Sequence, residues 1–277
     1  MSKNKSFKLT LKSYFDPKRP HVSVSMANDY LKSPNYYYKK HVEKSILRHE
    51  PTPNMIVGSF VDARLTNPTE AAKYRRKVLA KDDKALYEEQ KTMDPQYLLS
   101  ESDLEKGLAL AQFVASQPFW QDGLKEAVMQ LPMEGHAFGI RICGLPDRMQ
   151  WNDDKTALHI VDLKCTSPQK VSSPRKWLWN AEEMGYLRQF AMYRLLACQT
   201  FKLEKDQVFC SHIAACQQEE GLVTANLYAF PKHLVDRAED ELLAALQKIA
   251  SKEFPEPFVT WDDAIDMGLY APEEADV

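Results

Sequence analysis

The pattern of apolar and polar positions divides the chain into periodic segments separated by polar, proline-bearing or glycine-bearing stretches. Apolar positions that recur every three to four residues predict helices, and short apolar or alternating runs predict strands. Residues 1–20 are polar and basic without a periodic pattern, which predicts an arm with no regular structure. The pattern predicts helices at about 25–31, 35–47, 55–65, 102–115, 119–129, 180–199 and 231–249, and strands at 135–142, 157–165, 208–216 and 222–230.

A polar turn at Asn152-Asp153-Asp154-Lys155 separates two apolar runs and predicts a pair of adjacent strands. The second strand is expected from Ala157 to Cys165. Because side chains alternate between the faces of a strand, Asp162 and Lys164 project to the same side as Ile160. Burying two such charges costs free energy unless they pair with each other or with a metal ion. This strand is therefore the first candidate for a functional site.

A second acid, Asp147, is expected near the end of the neighbouring strand, beside Asp162. Two carboxylates at one point repel each other unless a proton or a cation lies between them. A hard divalent ion, Mg²⁺ or Mn²⁺, is the preferred occupant of a site built from oxygen atoms. The pair therefore predicts a metal site.

Composition limits the classes of protein to consider. The chain has 277 residues, 44% of them hydrophobic, which is ordinary for a globular protein with a sizeable core. We expect one domain over 1–277, with a mainly helical flank at 1–130, the sheet and its helices at 131–250, and a tail at 251–277. The net charge of −3 does not indicate nucleic acid, so DNA contacts would depend on local basic patches and bound metal.

The sequence contains no apolar run of the length that a membrane span needs, and the first five residues lead into no signal-peptide core. We therefore expect a cytoplasmic protein with no membrane partner. Five cysteines without C-x-x-C spacing predict reduced thiols packed as small apolar residues. The histidines His159, His212 and His233 show no metal-ligand spacing and are expected to be ordinary strand or helix residues.

The order Pro146-Asp147, then Asp162-Leu163-Lys164, resembles the PD-(D/E)XK signature of metal-dependent nucleases. D-x-K alone occurs by chance in most proteins of this length. Gln189 and Tyr193 on the next predicted helix, however, match the Q-x-x-x-Y motif of the RecB-like branch, which includes RecE-type exonucleases. The resemblance implies an α/β fold with a restriction-endonuclease-like core, in which a central mixed sheet is flanked by helices and preceded by a helical N-terminal part.

The resemblance also implies roles for individual residues. Asp147 and Asp162 would bind one or two Mg²⁺ ions, with the backbone carbonyl of Leu163 as a further ligand. Lys164 would position or deprotonate the attacking water and stabilise the charged phosphate. The side chains of Gln189 and Tyr193 would orient the substrate backbone or Lys164.

Two features depart from the family pattern. The family has a G-x-x-x-H motif whose histidine lies beside the metal, whereas here Gly58 is followed at that spacing by Asp62. Asp62 is a candidate metal ligand, directly or through water, against the alternative of a solvated helix acid. Some RecB-like nucleases also carry an iron–sulfur cluster whose first cysteine precedes a proline, and that place resembles Ser33-Pro34 here. No cluster is expected, although the spacing of Cys198, Cys210 and Cys216 leaves the alternative open.

Basic and aromatic residues alternate on the predicted helix from 35 and in the serine-rich and proline-rich stretch at 166–175 and just beyond it. Such residues can stack on bases and hold phosphates. The alternative is that the aromatic rings pack in the core and the lysines are solvated. The candidate DNA-binding residues are Tyr37, Lys40, Lys170, Arg175, Lys176, Tyr186 and Arg188.

These observations favour a Mg²⁺-dependent deoxyribonuclease, an exonuclease acting at single-stranded or double-stranded DNA ends. The setting would be recombination, repair or phage DNA metabolism in a bacterial or phage-infected cell, with a recombination or single-strand-annealing protein as a potential partner. The main alternative is a non-catalytic DNA-binding or assembly protein that keeps the fold. A third is an unrelated hydrolase in which D-x-K is coincidence.

Overall fold

The computed structural model describes residues 9–16, 18–46, 50–122, 126–218 and 221–254. It is a mixed α/β structure in which a central mixed sheet is flanked by helices, as predicted. The helices are α1 Leu11–Tyr14, α2 Val24–Lys32, α3 Pro34–Tyr37, α4 Pro53–Thr66, α5 Pro68–Ala71, α6 Lys84–Gln90, α7 Glu101–Ser116, α8 Pro118–Gln121, α9 Pro174–Glu183, α10 Tyr186–Phe201 and α11 Lys232–Ala250. The strands are β1 Val22–Ser23, β2 Arg75–Arg76, β3 Leu98–Leu99, β4 Ala127–Met129, β5 Met133–Ala137, β6 Ile140–Gly144, β7 Arg148–Trp151, β8 Leu158–Cys165, β9 Val208–Gln217 and β10 Val223–Ala229.

The central sheet has five strands in the order β10-β9-β8-β7-β4. Strands β8 and β9 are parallel, and the other neighbours are antiparallel. A second sheet of three strands has the order β1-β6-β5, and β2 pairs with β3 in a small parallel sheet. The parallel connection from β8 to β9 passes through α9 and α10, which places α10 beside the strand that carries Asp162.

The predicted hairpin of β7 and β8 is confirmed. The Asn152 backbone N–H donates to the Ala157 carbonyl at 3.0 Å, and the Asn152 side-chain oxygen accepts from the Ala157 N–H at 2.8 Å. Lys155 has a φ of 56°, in the left-handed region that such a turn requires. The turn fixes the register in which Arg148 lies opposite Val161.

The two faces of β8 support two different hydrophobic cores, as the alternation predicted. Ile160 belongs to the core formed with α10 and α11, whereas Val161 and Leu163 belong to the core formed with α4 and α7. Asp162 and Lys164 therefore point to the side of the sheet that α10 covers.

The prediction of one helix at 119–129 is wrong, because this stretch contains the short helix α8 and the strand β4. Helix α8 ends at Gln121, and β4 pairs antiparallel with β7 at the edge of the central sheet. An apolar run of three residues suits either a helix or a strand, and pairing with β7 selects the strand. Residues 123–125 lie outside the described part of the chain.

The single strand predicted at 135–142 is a hairpin of β5 and β6 in the three-stranded sheet. Its turn is formed by Phe138 and Gly139, with φ of 50° and 80°. Two successive residues in the left-handed region are typical of a two-residue hairpin loop. The glycine was the local signal for this turn.

The helix predicted at 180–199 is two helices, α9 and α10. Helix α9 begins at Pro174, where the Ser173 hydroxyl accepts from the Lys176 N–H at 3.3 Å, so part of the predicted loop at 166–175 is helical. The helices are separated at Gly185, whose φ is 72°. A Cβ atom there would lie 2.5 Å from the side-chain nitrogen of Asn28, so both the backbone angle and the close approach require glycine.

The N-terminal segments also differ from the prediction. Helix α3 begins at Pro34 and continues as a π-helix over Tyr38–Glu43, which ends at Lys44 in the left-handed conformation. Residue 47, the predicted helix end, lies outside the described residues, as do 255–277 of the predicted tail. The arm predicted at 1–20 contains α1, which begins after Thr10. No helix of the described residues is long and apolar enough to cross a membrane.

Candidate active site

Asp147 lies directly before β7, and its side chain extends the pairing of the strands. Its Oδ2 accepts a hydrogen bond from the backbone N–H of Leu163 at 2.6 Å, beyond the last paired residues of β7 and β8. Burial raises the pKa of the Asp147 carboxyl well above its ordinary value, and the negative charges of Asp162 and Asp62 raise it further. The charged form of this acid is therefore disfavoured by its surroundings, and a further cation beside it would favour ionisation.

Asp162 lies in the middle of the acidic site and is 1% exposed. Its Oδ1 accepts hydrogen bonds from the Gln189 side-chain amide at 3.0 Å and from the Tyr193 hydroxyl at 3.2 Å. Its Oδ2 forms an ion pair with the Lys164 ammonium but has no hydrogen bond of good geometry among the described residues. One oxygen of Asp162 is thus held by α10, and the other faces the cation.

Lys164 is two residues farther along the same face of β8. Burial acts to lower the pKa of its ammonium, but the charges of Asp162 and Asp147 outweigh this effect, so the pKa is raised. The Lys164 nitrogen also lies 4.7 Å from the centroid of the Tyr186 ring, within the range of a cation–π contact. Lys164 is therefore a cation here, which suits the stabilisation of negative charge on a phosphate.

Gln189 and Tyr193 lie one turn apart on α10, and both contact the site. The Gln189 amide donates to the Tyr193 hydroxyl at 2.6 Å, and that hydroxyl lies 2.9 Å from the carbonyl oxygen of Leu145. A Cβ atom on Gly144 would lie 2.9 Å from the Tyr193 ring, so the missing side chain lets the ring approach the chain. The structure brings the two predicted helix residues together with Asp162.

Asp62, on α4, is held by two donors. The Thr66 hydroxyl donates to Oδ1 at 3.1 Å, and the Gln130 side-chain amide donates to Oδ2 at 2.9 Å. Burial and the charge of Asp162 raise the pKa of the Asp62 carboxyl to about 6, although hydrogen bonds and Lys164 partly offset them. Asp62 is thus a partly buried acid coupled to the site and not a solvated helix acid.

Gln130 was missed by the sequence analysis. Its side chain holds Asp62 of α4, and its backbone N–H donates to the Asp147 carbonyl at 3.1 Å, so one residue links the segments that carry the two acids. Its φ of 46° places it in the left-handed region. A glutamine between two short apolar runs carries no local signal of this role, because the role arises from the pairing of β4 with β7.

His212 was also missed. It lies opposite Asp162 in the parallel register of β8 and β9, fully buried, with its Nε2 4.0 Å from Asp162 Oδ2. Burial lowers the pKa of this imidazole well below its ordinary value, and Lys164 lowers it further, so the ring is neutral. Aromatic rings surround it, the nearest being Phe190 at a centroid distance of 4.4 Å.

The carboxylates of Asp147 and Asp162 have the chemistry that a divalent metal ion requires. No group of three His, Cys, Asp or Glu side chains within the described ranges is close enough to hold an ion together. Burial and the negative charge of Asp162 nevertheless raise the pKa of Asp147, and Asp162 Oδ2 is buried without a hydrogen bond among the described residues. Two acids of this kind supply hard oxygen ligands.

Three of the candidate DNA-binding residues are exposed cations near this site. Lys170 lies on a short 3₁₀ helix after β8, and Arg175 and Lys176 lie in the first turn of α9. On the same helix, the Trp179 side chain is 68% exposed, whereas Trp177 is buried in the core. Trp177 is thus a core residue, whereas Trp179 is accessible to a ligand.

The other candidates are engaged within the protein. Tyr37 is 4% exposed and stacks on Phe254, a placement that argues against direct contact with DNA. Lys40 pairs with Asp29 at 2.9 Å. Arg188 donates to the Asn28 side chain at 2.6 Å and pairs with an acid of α11, and Tyr186 is half-buried beside Lys164.

Comparisons with known proteins bear on the family and the fold of the chain. The sequence model of the PD-(D/E)XK nuclease superfamily matches residues 21–257. A crystal structure of a candidate exonuclease from Eubacterium rectale superimposes with a TM-score of 0.65 at 16% identity, covering 96% of each chain, which shows a shared fold. The structure of SSO0001 aligns over 84% of this chain and 93% of that chain at 12% identity with a TM-score of only 0.27. No curated protein sequence matches the chain. Because the superfamily match spans most of the chain and includes both acids and the lysine, the protein belongs to the PD-(D/E)XK nuclease superfamily.

Proposed function

We propose that this protein is a Mg²⁺-dependent or Mn²⁺-dependent deoxyribonuclease of the RecB-like branch that removes nucleotides from DNA ends. The observation that carries the proposal is the placement of Asp147, Asp162 and Lys164 at one point of the sheet, with Gln189 and Tyr193 bonded to Asp162. Two repelling acids and a lysine have no structural use that an apolar core would not serve better, since buried charges are costly.

The metal would be held by Asp147, Asp162 and the Leu163 carbonyl. Asp62, whose two oxygens already accept hydrogen bonds, would contact it through water. A bound divalent ion lowers the pKa of its water and offsets charge on a phosphate.

The chain's own residues supply the remaining functions. Lys164, as a cation between Asp162 and the Tyr186 ring, is positioned to neutralise charge that develops on the phosphate. Gln189 and Tyr193 keep Asp162 Oδ1 fixed, which leaves Oδ2 for Lys164 and the metal.

The exposed cations Lys170, Arg175 and Lys176, together with Trp179, would hold the DNA backbone and a base beside the site. Such a local patch is needed because the net charge of the chain is −3. Action at DNA ends suits recombination, repair or phage DNA metabolism, where a single-strand-annealing protein would be a natural partner.

The experiment that tests this proposal is degradation of end-labelled linear DNA and covalently closed circular DNA, single-stranded and double-stranded, with Mg²⁺ or EDTA. The wild type is compared with Asp162→Asn and Lys164→Met. Asp240→Asn, at an exposed position on α11, is the matched control. We expect linear DNA alone to be degraded, with a loss of about 10²–10³ in rate for each site variant, the typical cost of removing one electrostatic stabiliser.

Each alternative predicts a different result. Cleavage of closed circles would indicate an endonuclease. Unchanged rates in Asp162→Asn would place the chemistry elsewhere. A folded wild type that binds DNA but degrades none in Mg²⁺ or Mn²⁺ would favour the non-catalytic DNA-binding protein.

A further inference from the structure

A cavity of about 280 Å³ adjoins the acidic site. It shares the side chains of Tyr186, Gln189 and Tyr193 with the site, and its opposite wall comes from α1 and the start of α2. Gln189 and Tyr193 bond Asp162 directly, so one layer of side chains separates the cavity from the carboxylate. A ligand in the cavity would therefore lie immediately beside the acidic site.

The size of the cavity restricts its ligand. Pockets for small organic ligands usually measure about 300–1,000 Å³, so this cavity is at the lower limit of that range. It is large enough for a single nucleobase with part of its sugar and far too small for stacked base pairs. A base could enter only if it were unpaired and turned out of its stack.

The chemistry of the lining suits a base better than a phosphate. None of the described residues that line the cavity is charged, whereas phosphate sites are usually lined by cations. The lining instead combines three aromatic rings with neutral hydrogen-bonding groups, which match the π-face and the polar edge of a base. The aromatic and polar residues include Tyr14, Tyr186, Tyr193, Ser25, Asn28 and Gln189.

Two features keep this lining in place. The Arg188 guanidinium donates to the Asn28 oxygen at 2.6 Å, which fixes the amide and directs its N–H₂ group toward Gly185. Any side chain at Gly185 would collide with that amide at 2.5 Å. The Arg19 guanidinium lies 4.3 Å from the centroid of the Tyr14 ring, a local contact that orients this ring. The cavity is thus built by residues whose contacts are internal to the protein.

We propose that this cavity binds one unpaired nucleobase next to the cleaved phosphodiester, so that the substrate is a single strand or an unpaired DNA end. This inference rests on the proposed nuclease function, because it identifies the ligand from the neighbouring acidic site. It assigns substrate binding to Tyr14, Ser25 and Asn28 of the N-terminal segment.

The test is fluorescence anisotropy of labelled oligothymidylate with Ca²⁺ in place of Mg²⁺, and strand length is verified afterwards. A series of strands carries one abasic residue at each of the first few positions from either end. If the cavity holds one base, the wild type should bind one strand of the series about tenfold more weakly than the intact strand, because that strand lacks the stacked base. The other abasic strands should bind nearly as well as the intact strand. This arm uses the unmodified protein and does not depend on how a variant folds.

The variant arm uses Ser25→Phe, which fills the cavity entrance, with Ser102→Phe as control. Both serines are exposed, both are the second residue of a helix, and each contacts the hydroxyl of the capping serine, at 2.9 and 3.2 Å. Ser25→Phe should weaken binding of the intact strand about tenfold. It should have little effect on the strand whose abasic residue already weakens binding to the wild type. Ser102→Phe should bind both strands like the wild type.

The outcomes separate this inference from the proposed function. Equal wild-type affinity for every abasic strand would overturn the base cavity, even if Mg²⁺-dependent degradation is observed. A position-specific loss without any degradation in Mg²⁺ would support the cavity and overturn the nuclease. Absence of binding to every strand would overturn both.

Discussion

Replacing Asp62 by asparagine should stabilise the metal-free protein at neutral pH. The Asp62 carboxyl has a pKa raised to about 6 from an ordinary value of 3.8, chiefly by burial and further by the charge of Asp162. At neutral pH the folded protein therefore carries an acid whose charged form is disfavoured relative to the unfolded chain. Asparagine has nearly the same shape and removes this charge.

The magnitude follows from linkage between protonation and folding. Between pH 4 and 6 the folded state retains a proton that the unfolded state has lost, so the free energy of unfolding falls as the pH rises through this window. The difference of about two units between the folded and unfolded pKa values of Asp62 corresponds to about 3 kcal/mol. Above pH 6 the ionised Asp62 destabilises the folded state by this full amount. In the variant, the asparagine N–H₂ group would face the donor of either Thr66 or Gln130. One hydrogen bond would therefore be lost, which costs about 1 kcal/mol. We therefore expect a net gain of about 2 kcal/mol at pH 7.5.

The measurement is urea unfolding in EDTA at pH 4 and pH 7.5 for the wild type, Asp62→Asn and the exposed control Asp240→Asn. The gain for Asp62→Asn should be about 2 kcal/mol at pH 7.5 and absent or reversed at pH 4, where both forms are neutral. Asp240→Asn should match the wild type at both values. Excess Mg²⁺ should reduce the gain, because the wild type then has a cation beside the acid.

Two results would contradict this reasoning. A loss of stability in Asp62→Asn at pH 7.5 in EDTA would mean that the hydrogen bonds outweigh the cost of the charge. An equal gain at both pH values would mean that the effect is not electrostatic. Calorimetric titration with Mg²⁺ addresses the proposed ligand roles. If Asp62 contacts the metal only through water, Asp62→Asn should lower the affinity less than Asp162→Asn, which would remove a direct ligand.

Three further predictions concern other parts of the fold. Burial lowers the pKa of His159 to about 4, so the free energy of unfolding falls as the pH falls from 6.5 toward 4. In urea unfolding, His159→Gln should remove about 3 kcal/mol of this pH-dependent loss. The same pH dependence in the wild type and the variant would refute the prediction. Arg194→Met leaves the buried Glu239 without its main partner and should cost about 3 kcal/mol, and a cost below about 1 kcal/mol would contradict a structural ion pair. Tyr193→Phe removes a hydroxyl contact to Asp162 and should weaken Mg²⁺ binding about tenfold in calorimetry, whereas an unchanged affinity would exclude a positioning role.

The sequence predicted the parts of the fold that depend on local periodicity. The turn at Asn152, the strand carrying Asp162 and the faces of that strand follow from residues within about fifteen positions of one another. The break at Gly185 and the turn at Gly139 also had local signals, since each is a glycine with a positive φ, yet periodicity across them suggested continuous elements. These two errors therefore lie where a single glycine competes with an apolar pattern.

The site was predictable only in part, because half of its contacts come from distant elements. The spacing of Asp147, Asp162 and Lys164 is a local property of one hairpin. The roles of Gln130 and His212 depend instead on which strands pair with β7 and β8, and in which register. No local pattern encodes a parallel register, so a histidine opposite Asp162 has no signature in the sequence.

The three acids of the site are held by separate elements of the fold. Asp147 is held by β8, Asp162 by α10 and Asp62 by α4 and Gln130, so each acid is fixed by a different element of the fold. Burial raises the pKa values of Asp147 and Asp62, and the negative charge of Asp162 raises both further. Packing on both faces of the sheet must therefore supply the free energy that assembles them, and a cation at the site would return part of it. Metal binding and folding stability should consequently be coupled in this protein, and variants that weaken the flanking helices should weaken Mg²⁺ binding without touching an acid.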